Sequence, residues 1–331
     1  MIRRVTSRTL SGKRIFKLMV ILMTSTVAVQ FEGVKGAEAA PLPTLTVATI
    51  QFPIRAGATE TSLLAEIDQY INDAREKKAQ LVIFPELVTY ALAKGGDLDQ
   101  EAAKWAIVAR DFTPKYFDHI RSRATETGMM ILGGSSPRIT PDGIVNTAIL
   151  AFPKDPPIFQ DKLFPTPDEV KWKWVGGKNL NVIDTAYGRI AILICYDSEF
   201  PHISHQLGKL GPELILIPSM TGEKGLTRVR WAAQARAVEH YAYIVVTGTV
   251  ATDSESTSET GQSVFITPSD LEFPGILAQG PYNTPAMTIA NLDLAKLRQN
   301  RASARIYPLR DSIRNLQPTV LENSRLTAPQ K

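Results

Sequence analysis

Residues 45–52, LTVATIQF, alternate along the chain and are rich in β-branched side chains, the pattern of a strand. Over 61–78 the apolar positions shift to Leu63, Leu64, Ile67, Ile71 and Ala74, one face of a helix, and the stretch ends in lysines, as a helix C-terminus favours. LVIFPE, 81–86, returns to a short apolar run that is stopped by Pro85. This change of period and back opens a β-α-β unit and limits the chain to folds in which helices cover a sheet. The alternation continues downstream. Helical patterns near 101–109, 114–127, 202–210 and 226–240 are interleaved with predicted strands at 129–133, 144–152, 158–163, 180–184, 189–195, ELILIP, YAYIVVTG, 263–267 and 286–292. Several of these strands are apolar on both faces, so the expected fold class is a layered α/β fold.

No internal repeat or long low-complexity tract interrupts the series. ATDSESTSETG, 251–261, reads as a polar loop, and the tail beyond Arg310 as an extension that wraps the surface or a partner. Residues 40–331 therefore read as a single domain with a C-terminal extension. A hydrophobic content of 44% and a charged content of 21% are those of a soluble globular protein and exclude a disordered or collagen-like chain.

The formal charge of +4 invites a nucleic-acid partner, but its distribution argues against one. Arg3, Arg4, Arg8, Lys13, Arg14, Lys17 and Lys35 all precede residue 40, where only Glu32 and Glu38 oppose them. Setting these aside leaves 30 basic against 31 acidic residues, a near-neutral −1. The basic leader is followed by an apolar stretch from Leu18 to about Val29 and by the triplet Ala37-Glu38-Ala39. Residues 1–39 are thus expected to be a secretory signal peptide, and the protein to be exported, periplasmic or extracellular. The apolar stretch is too short, and too interrupted by Thr and Ser, for a comfortable membrane span of about 20 residues. A single cysteine, Cys195, excludes an internal disulfide even in an oxidising compartment.

Three segments share a layout in which an apolar strand ends and a reactive residue stands at or just past its carboxyl edge: LVIFPE with Glu86, IFQDKLFPTPDE with Lys162, and IAILICYD with Cys195. In α/β sheets that edge is where loops converge on a rigid frame. A thiol is mostly protonated near neutral pH and needs a base and a positive charge beside it to become a good nucleophile. Glu86 can serve as the base. Lys162 can favour the thiolate and then hydrogen-bond the oxyanion formed when sulfur attacks a carbonyl, with the Tyr196 N–H completing the oxyanion hole. Each segment alone is weak evidence, and the three together are much stronger. Competing readings of nearby residues are a metal site at Asp197, Glu199, His202 and His205, and a Cys–His protease pair of Cys195 and His240. Trp172 and Trp174 read as pocket lining or as packing, and Met220 and Thr221, after ELILIPS, as substrate contacts or core. Arg228 and Arg230 read as solvated or ion-paired side chains, and Glu169 as the start of a polar turn.

With these segments in place, the chain resembles the nitrilase, or carbon–nitrogen hydrolase, superfamily from about Leu45 to Leu292. FPE resembles that family's Glu segment, KLFPTPDE its Lys segment and ICYDSEFP its Cys segment, while ARAVE resembles the helix that follows. The resemblance implies an α-β-β-α sandwich that pairs into a four-layer homodimer or higher homo-oligomer. It also implies Glu86 as general base and acid, Lys162 as oxyanion stabiliser, Cys195 as nucleophile and Glu169 as a supporting acid. It further implies hydrolysis of a small amide to an acid and ammonia or an amine through a Cys thioester, with no metal or organic cofactor. A nitrile substrate is the alternative: CYD resembles amidase branches, whereas KLFPTPDE resembles nitrilases. A catalytically silent exported binding protein is the reading from another class. Where many relatives carry Glu, Arg and Asn, this chain has His202, His205 and His240.

Overall fold

The computed structural model describes residues 44–252, 259–270 and 272–314. The leader at 1–39, most of the polar loop between 251 and 261, and the tail beyond 314 lie outside the described residues.

Among the described residues, twelve strands form two halves that join where the first strand meets the ninth. In the first half β1 (Leu45–Ile54) is central. Its first seven residues pair antiparallel with β12 (Ala286–Leu292), and Val47–Thr49 pair parallel with β2 (Leu81–Ile83). Beyond β2 follow β3 (Met130–Thr140), β4 (Gly143–Ala151) and β5 (Ile158–Asp161), the last two added antiparallel. The second half runs β6 (Val182–Thr185), β7 (Gly188–Ile192), β8 (Leu214–Ser219), β9 (Tyr243–Ala251), β10 (Val264–Asp270) and β11 (Phe273–Gln279), with β7, β8 and β9 parallel. The halves meet where Phe52–Ile54 of β1 pair parallel with Thr249–Ala251 of β9.

The period of two along the strands sorts the core into layers. Leu45, Val47, Leu81, Ile83, Met130, Leu132, Ala148 and Leu150 join the apolar cluster formed by the second half. The intervening Ala48, Ile50, Phe52, Val82, Ile131 and Ile149 join a different cluster with Leu63, Ile67, Ile71, Tyr116 and Ile120 of the helices α1 (Glu60–Glu76) and α3 (Thr113–Thr127). One face of the first half therefore meets the other half, and its opposite face meets helices, giving the expected α-β-β-α sandwich. The helix α1 begins at a capping box in which Thr59 and Ser62 each satisfy the other's backbone N–H, and it buries Leu63, Ile67, Ile71 and Ala74. Each leucine or isoleucine side chain among them, taken out of water, contributes roughly 1.5–3 kcal/mol. The outer helix of the second half, α6 (Glu223–His240), starts at Gly222 and buries Val229, Ala233 and Ala237.

Several sequence expectations are corrected. The strand expected at 189–195 stops at Ile192, and the one at 158–163 stops at Asp161, because the chain turns sharply at both reactive residues. The TPDE stretch, read as a polar turn at Glu169, is a short helix α4 (Pro167–Lys171). Its Thr166 and Glu169 form a capping box with Pro167 in the first turn, a start signal in its own right. β11, α2 (Leu98–Ile107, expected further on), α7 (Leu294–Ser303) and α8 (Pro308–Arg314) are further elements that periodicity did not delimit.

Candidate active site

Glu86 lies three residues past the end of β2, and its backbone is pinned from β3. The Phe84 N–H donates to the Leu132 carbonyl at 2.8 Å and the Ser135 N–H to the Pro85 carbonyl at 3.3 Å. The Leu87 N–H donates to Ser135 Oγ at 2.9 Å. A bulge in β3 permits this approach: Gly134 has φ +63, and a Cβ there would collide with the Pro85 carbonyl oxygen. Leu87 itself is held at φ 47, so the turn that aims the carboxylate is strained.

The Glu86 side chain is 2% exposed. Its Oε1 accepts from Lys162 Nζ at 2.7 Å and from Asn146 Nδ2 at 2.9 Å, and its Oε2 from the Met220 N–H at 2.8 Å. Lys162 is equally buried, one residue past β5, with its N–H on the Asn146 carbonyl at 2.8 Å. Its ammonium also donates to Glu169 Oε2 at 2.7 Å, and Asn146 Nδ2 to Glu169 Oε1 at 2.7 Å. The Thr166 N–H and hydroxyl add bonds to Glu169 at 2.7 and 3.0 Å. Two carboxylates, one ammonium and one amide thus make a closed, buried network of the first sheet. Asn146 was not foreseen; an asparagine in the middle of IVNTAIL was its only sequence signal.

Charge in this network is unbalanced, and the ionisation follows. Burial pushes the Glu86 carboxyl up, and Glu169 adds to the rise, while Lys162 and the bond from Met220 oppose it. Burial alone would push the Lys162 ammonium down, but the facing Glu86 and Glu169 overrule it, so its pKa is raised and it stays charged.

Cys195 comes from the other half. After β7 the Leu193 N–H still reaches the Leu216 carbonyl at 3.0 Å, and the chain then enters a single 3-10 turn over Cys195–Glu199. Cys195 takes φ 47, a left-handed conformation that costs a side-chain-bearing residue roughly 1–2 kcal/mol. The Ser198 hydroxyl clamps the turn by donating to the Cys195 carbonyl at 2.7 Å. The sulfur accepts from Ser219 Oγ at 3.1 Å and lies 3.9 Å from the Met220 carbonyl oxygen. Burial pushes the thiol up, the Glu86 charge adds to this, and Lys162 and Ser219 pull it back. A protonated thiol is the result.

Asp197 ties the two halves together. Its carboxylate accepts from the Leu163 N–H at 3.0 Å and from the Phe164 N–H at 2.9 Å, so the Cys turn holds the backbone next to Lys162. Burial raises the Asp197 carboxyl to about 7 in spite of these donors. Tyr196, next to the sulfur, packs edge-on against Phe200 with ring centroids 4.8 Å apart.

The remaining sequence candidates separate clearly. Met220 joins the site through its backbone, as above, whereas the Thr221 carbonyl accepts from the Thr260 N–H at 2.7 Å. Trp172 and Trp174 pack on each other and on Trp105, with centroids 5.3–5.7 Å apart, behind Glu169. The four residues of the metal reading diverge: Asp197 faces the Lys segment, Glu199 pairs with Arg228 at 3.1 Å, and His202 packs on Phe164 and Phe200. His205 sits on α5 (Pro201–Gly208), and no group of three or more His, Cys, Asp or Glu suited to a metal occurs among the described residues. His240 is engaged by Ser204 Oγ at 2.7 Å, and burial, with Arg236 and Arg301, holds it neutral with a pKa of about 3, far from a protease histidine paired to Cys195. Arg230 bonds Gln262 at 3.2 Å.

Known proteins resemble this chain in sequence and fold. A probable hydrolase of Bacillus subtilis (strain 168), YhcX, is 31% identical over 279 residues, 82% of this chain. The chain spans about half the length of that relative, 54%. Nit3 of Saccharomyces cerevisiae, a member of branch 10 of the nitrilase superfamily, superposes with a TM-score of 0.67 at 21% identity over 80% of this chain and 95% of that one. The amidase from Nesterenkonia sp. AN1, in a form carrying acrylamide added to its active-site cysteine, superposes with a TM-score of 0.64 at 22% identity over 78% and 97%. These two likenesses speak to the fold. The carbon-nitrogen hydrolase model matches residues 46–302, from the first strand through all three reactive segments into α7, and the chain therefore belongs to the carbon–nitrogen hydrolase family.

Proposed function

We propose that the protein is a thiol-dependent hydrolase that cleaves the non-peptide carbon–nitrogen bond of a small amide, giving an acid and ammonia or an amine. The observation that carries this reading is that Lys162 Nζ stands 2.7 Å from both Glu86 and Glu169 while Met220, whose N–H donates to Glu86 at 2.8 Å, has its carbonyl oxygen 3.9 Å from the Cys195 sulfur. Glu86 takes the thiol proton as sulfur attacks the carbonyl carbon, so the carboxylate whose charge is least comfortable is the one neutralised. The oxyanion is held by Lys162 and the Tyr196 N–H. Glu86 then returns its proton to the nitrogen, the C–N bond breaks and a thioester remains on Cys195. A water deprotonated by Glu86 adds to the thioester, and collapse of that adduct releases the acid and the thiolate, which recovers its proton. Glu169 and Asn146 hold the lysine and the base in register throughout.

The basic leader supports an exported, periplasmic or extracellular enzyme, and enclosure of its one thiol at 5% exposure suits an oxidising compartment. Exposed Trp231 and Val238, seven residues apart on α6, support pairing of two copies across that helix face. The decisive experiment measures ammonia release from paired amides and nitriles, with mass spectrometry of Cys195. Amide turnover with an acyl adduct on Cys195 is expected, and turnover of nitriles alone would replace this reading with a nitrilase. Equal turnover by the Cys195→Ala variant would refute the thiol mechanism.

A further inference from the structure

The residues at the exit of β8 touch both the nucleophile and its base, although nothing in the sequence singled out Ser219. Met220 gives its N–H to Glu86 Oε2 at 2.8 Å and turns its carbonyl oxygen toward the sulfur at 3.9 Å. Ser219, the last residue of β8 and 3% exposed, gives its hydroxyl to the sulfur at 3.1 Å. Its backbone is fixed in register beside Gly248 of β9, so the hydroxyl is presented by a paired strand rather than by a loop.

Resting on the hydrolase reading above, we propose that Ser219 is a fourth catalytic side chain, whose hydroxyl donates to the Cys195 sulfur and stabilises it as a thiolate both when it attacks and when it leaves. While the sulfur is protonated, its hydrogen can point to the Met220 carbonyl. Once that proton has passed to Glu86, the same carbonyl presents its negative end to a negative sulfur. The Ser219 hydroxyl offsets this, because it keeps its own proton and its bond strengthens as charge develops on sulfur. In the thioester the sulfur is a poorer acceptor, so the bond weakens in the acyl-enzyme and reforms as hydrolysis expels the thiolate. The titratable groups facing the sulfur are Glu86 from the turn after β2 and Lys162 from the turn after β5. Ser219 adds a donor with no charge of its own, and so leaves the ion pairing of those two unaltered.

The test is the pH dependence of Cys195 alkylation by iodoacetamide in the full-length protein, read beside kcat/KM on an amide that it turns over. Ser219→Ala is expected to move the alkylation midpoint up by about one pH unit and to lower kcat/KM by about tenfold at neutral pH. The isosteric pair Ser219→Thr and Ser219→Val provides the same contrast independently: the threonine should retain the wild-type profile and the valine should behave as the alanine. A Ser219→Ala or Ser219→Val profile that overlays wild type overturns the proposal, as does a Ser219→Thr profile displaced as far as the valine. Alkylation reports on the sulfur alone, so amide turnover without Cys195 would refute the hydrolase reading separately.

Discussion

The two halves of the sandwich contribute to the site in opposite ways. The first half supplies Glu86, Asn146, Lys162 and Glu169, each bonded to at least two of the others or their neighbours at 2.7–2.9 Å and buried. The second half supplies a neutral sulfur with one hydroxyl donor and one distant carbonyl, on a turn where Cys195 sits at φ 47. Charge is thus immobilised on one side, and a sulfur on a left-handed turn faces it from the other. On the proposed mechanism, a preorganised donor set would cost no rearrangement as an oxyanion forms. Within the site, Met220 to Glu86 and Asp197 to the backbone after Lys162 cross between the halves, which the pairing of β1 with β9 already holds in register.

The division can be broken first at the sulfur. Cys195→Ala should abolish amide turnover, by about 10³-fold or more, with the melting temperature little changed, because only a weakly bonded atom is lost. A large drop in melting temperature would contradict the contrast between the halves. Lys162→Met, in the charged half, should lose activity to a similar degree and also destabilise the fold by about 3–5 kcal/mol, since Glu86 and Glu169 would face each other without a cation; urea unfolding reads this. Glu86→Gln should reduce kcat about 10²- to 10⁴-fold while Cys195 stays in place for alkylation. Asn146→Leu should cost roughly 1–3 kcal/mol in the same unfolding assay, because both carboxylates lose a donor.

A pH series sharpens the contact between the halves. The Asp197 carboxyl is raised to about 7 by burial, against an ordinary 3.8. Its folded value lies above its unfolded one, so its contribution to stability is fully present below about pH 4 and is lost as pH rises through about 7. Asp197→Asn carries no such titration and can still accept from Leu163 and Phe164. Its unfolding free energy should therefore decline less between pH 4 and 7 than that of wild type, and parallel slopes would show that Asp197 is not the group responsible.

The strand and helix periods of 45–86 were legible in the sequence because each element buries one face and writes that face into its own residues. The three reactive residues were legible for a related reason: each stands where an apolar run stops. Other features were not written locally. Asn146 reads as one polar residue in a strand, and only the pairing of β4 with β3 and β5 reveals that it bonds two carboxylates from different loops. Trp172 and Trp174 alternate about one lysine in the sequence, and only the fold shows that both meet Trp105 from α2. The helix at TPDE was present in its capping signature, and its five residues were too short to show a period.

The sequence by itself determined the layered α/β class, the family, and the identity of a thiol, a carboxylate and an ammonium at strand ends, because periodicity and residue chemistry are local properties of the chain. Tertiary structure alone decided that Lys162 lies between two carboxylates, that Cys195 adopts a left-handed turn, and that Ser219 and Met220 reach the sulfur and its base. Those relations join residues from 7 to 134 positions apart. Most of them exist only once the two sheets have packed and fixed the distances between strand ends.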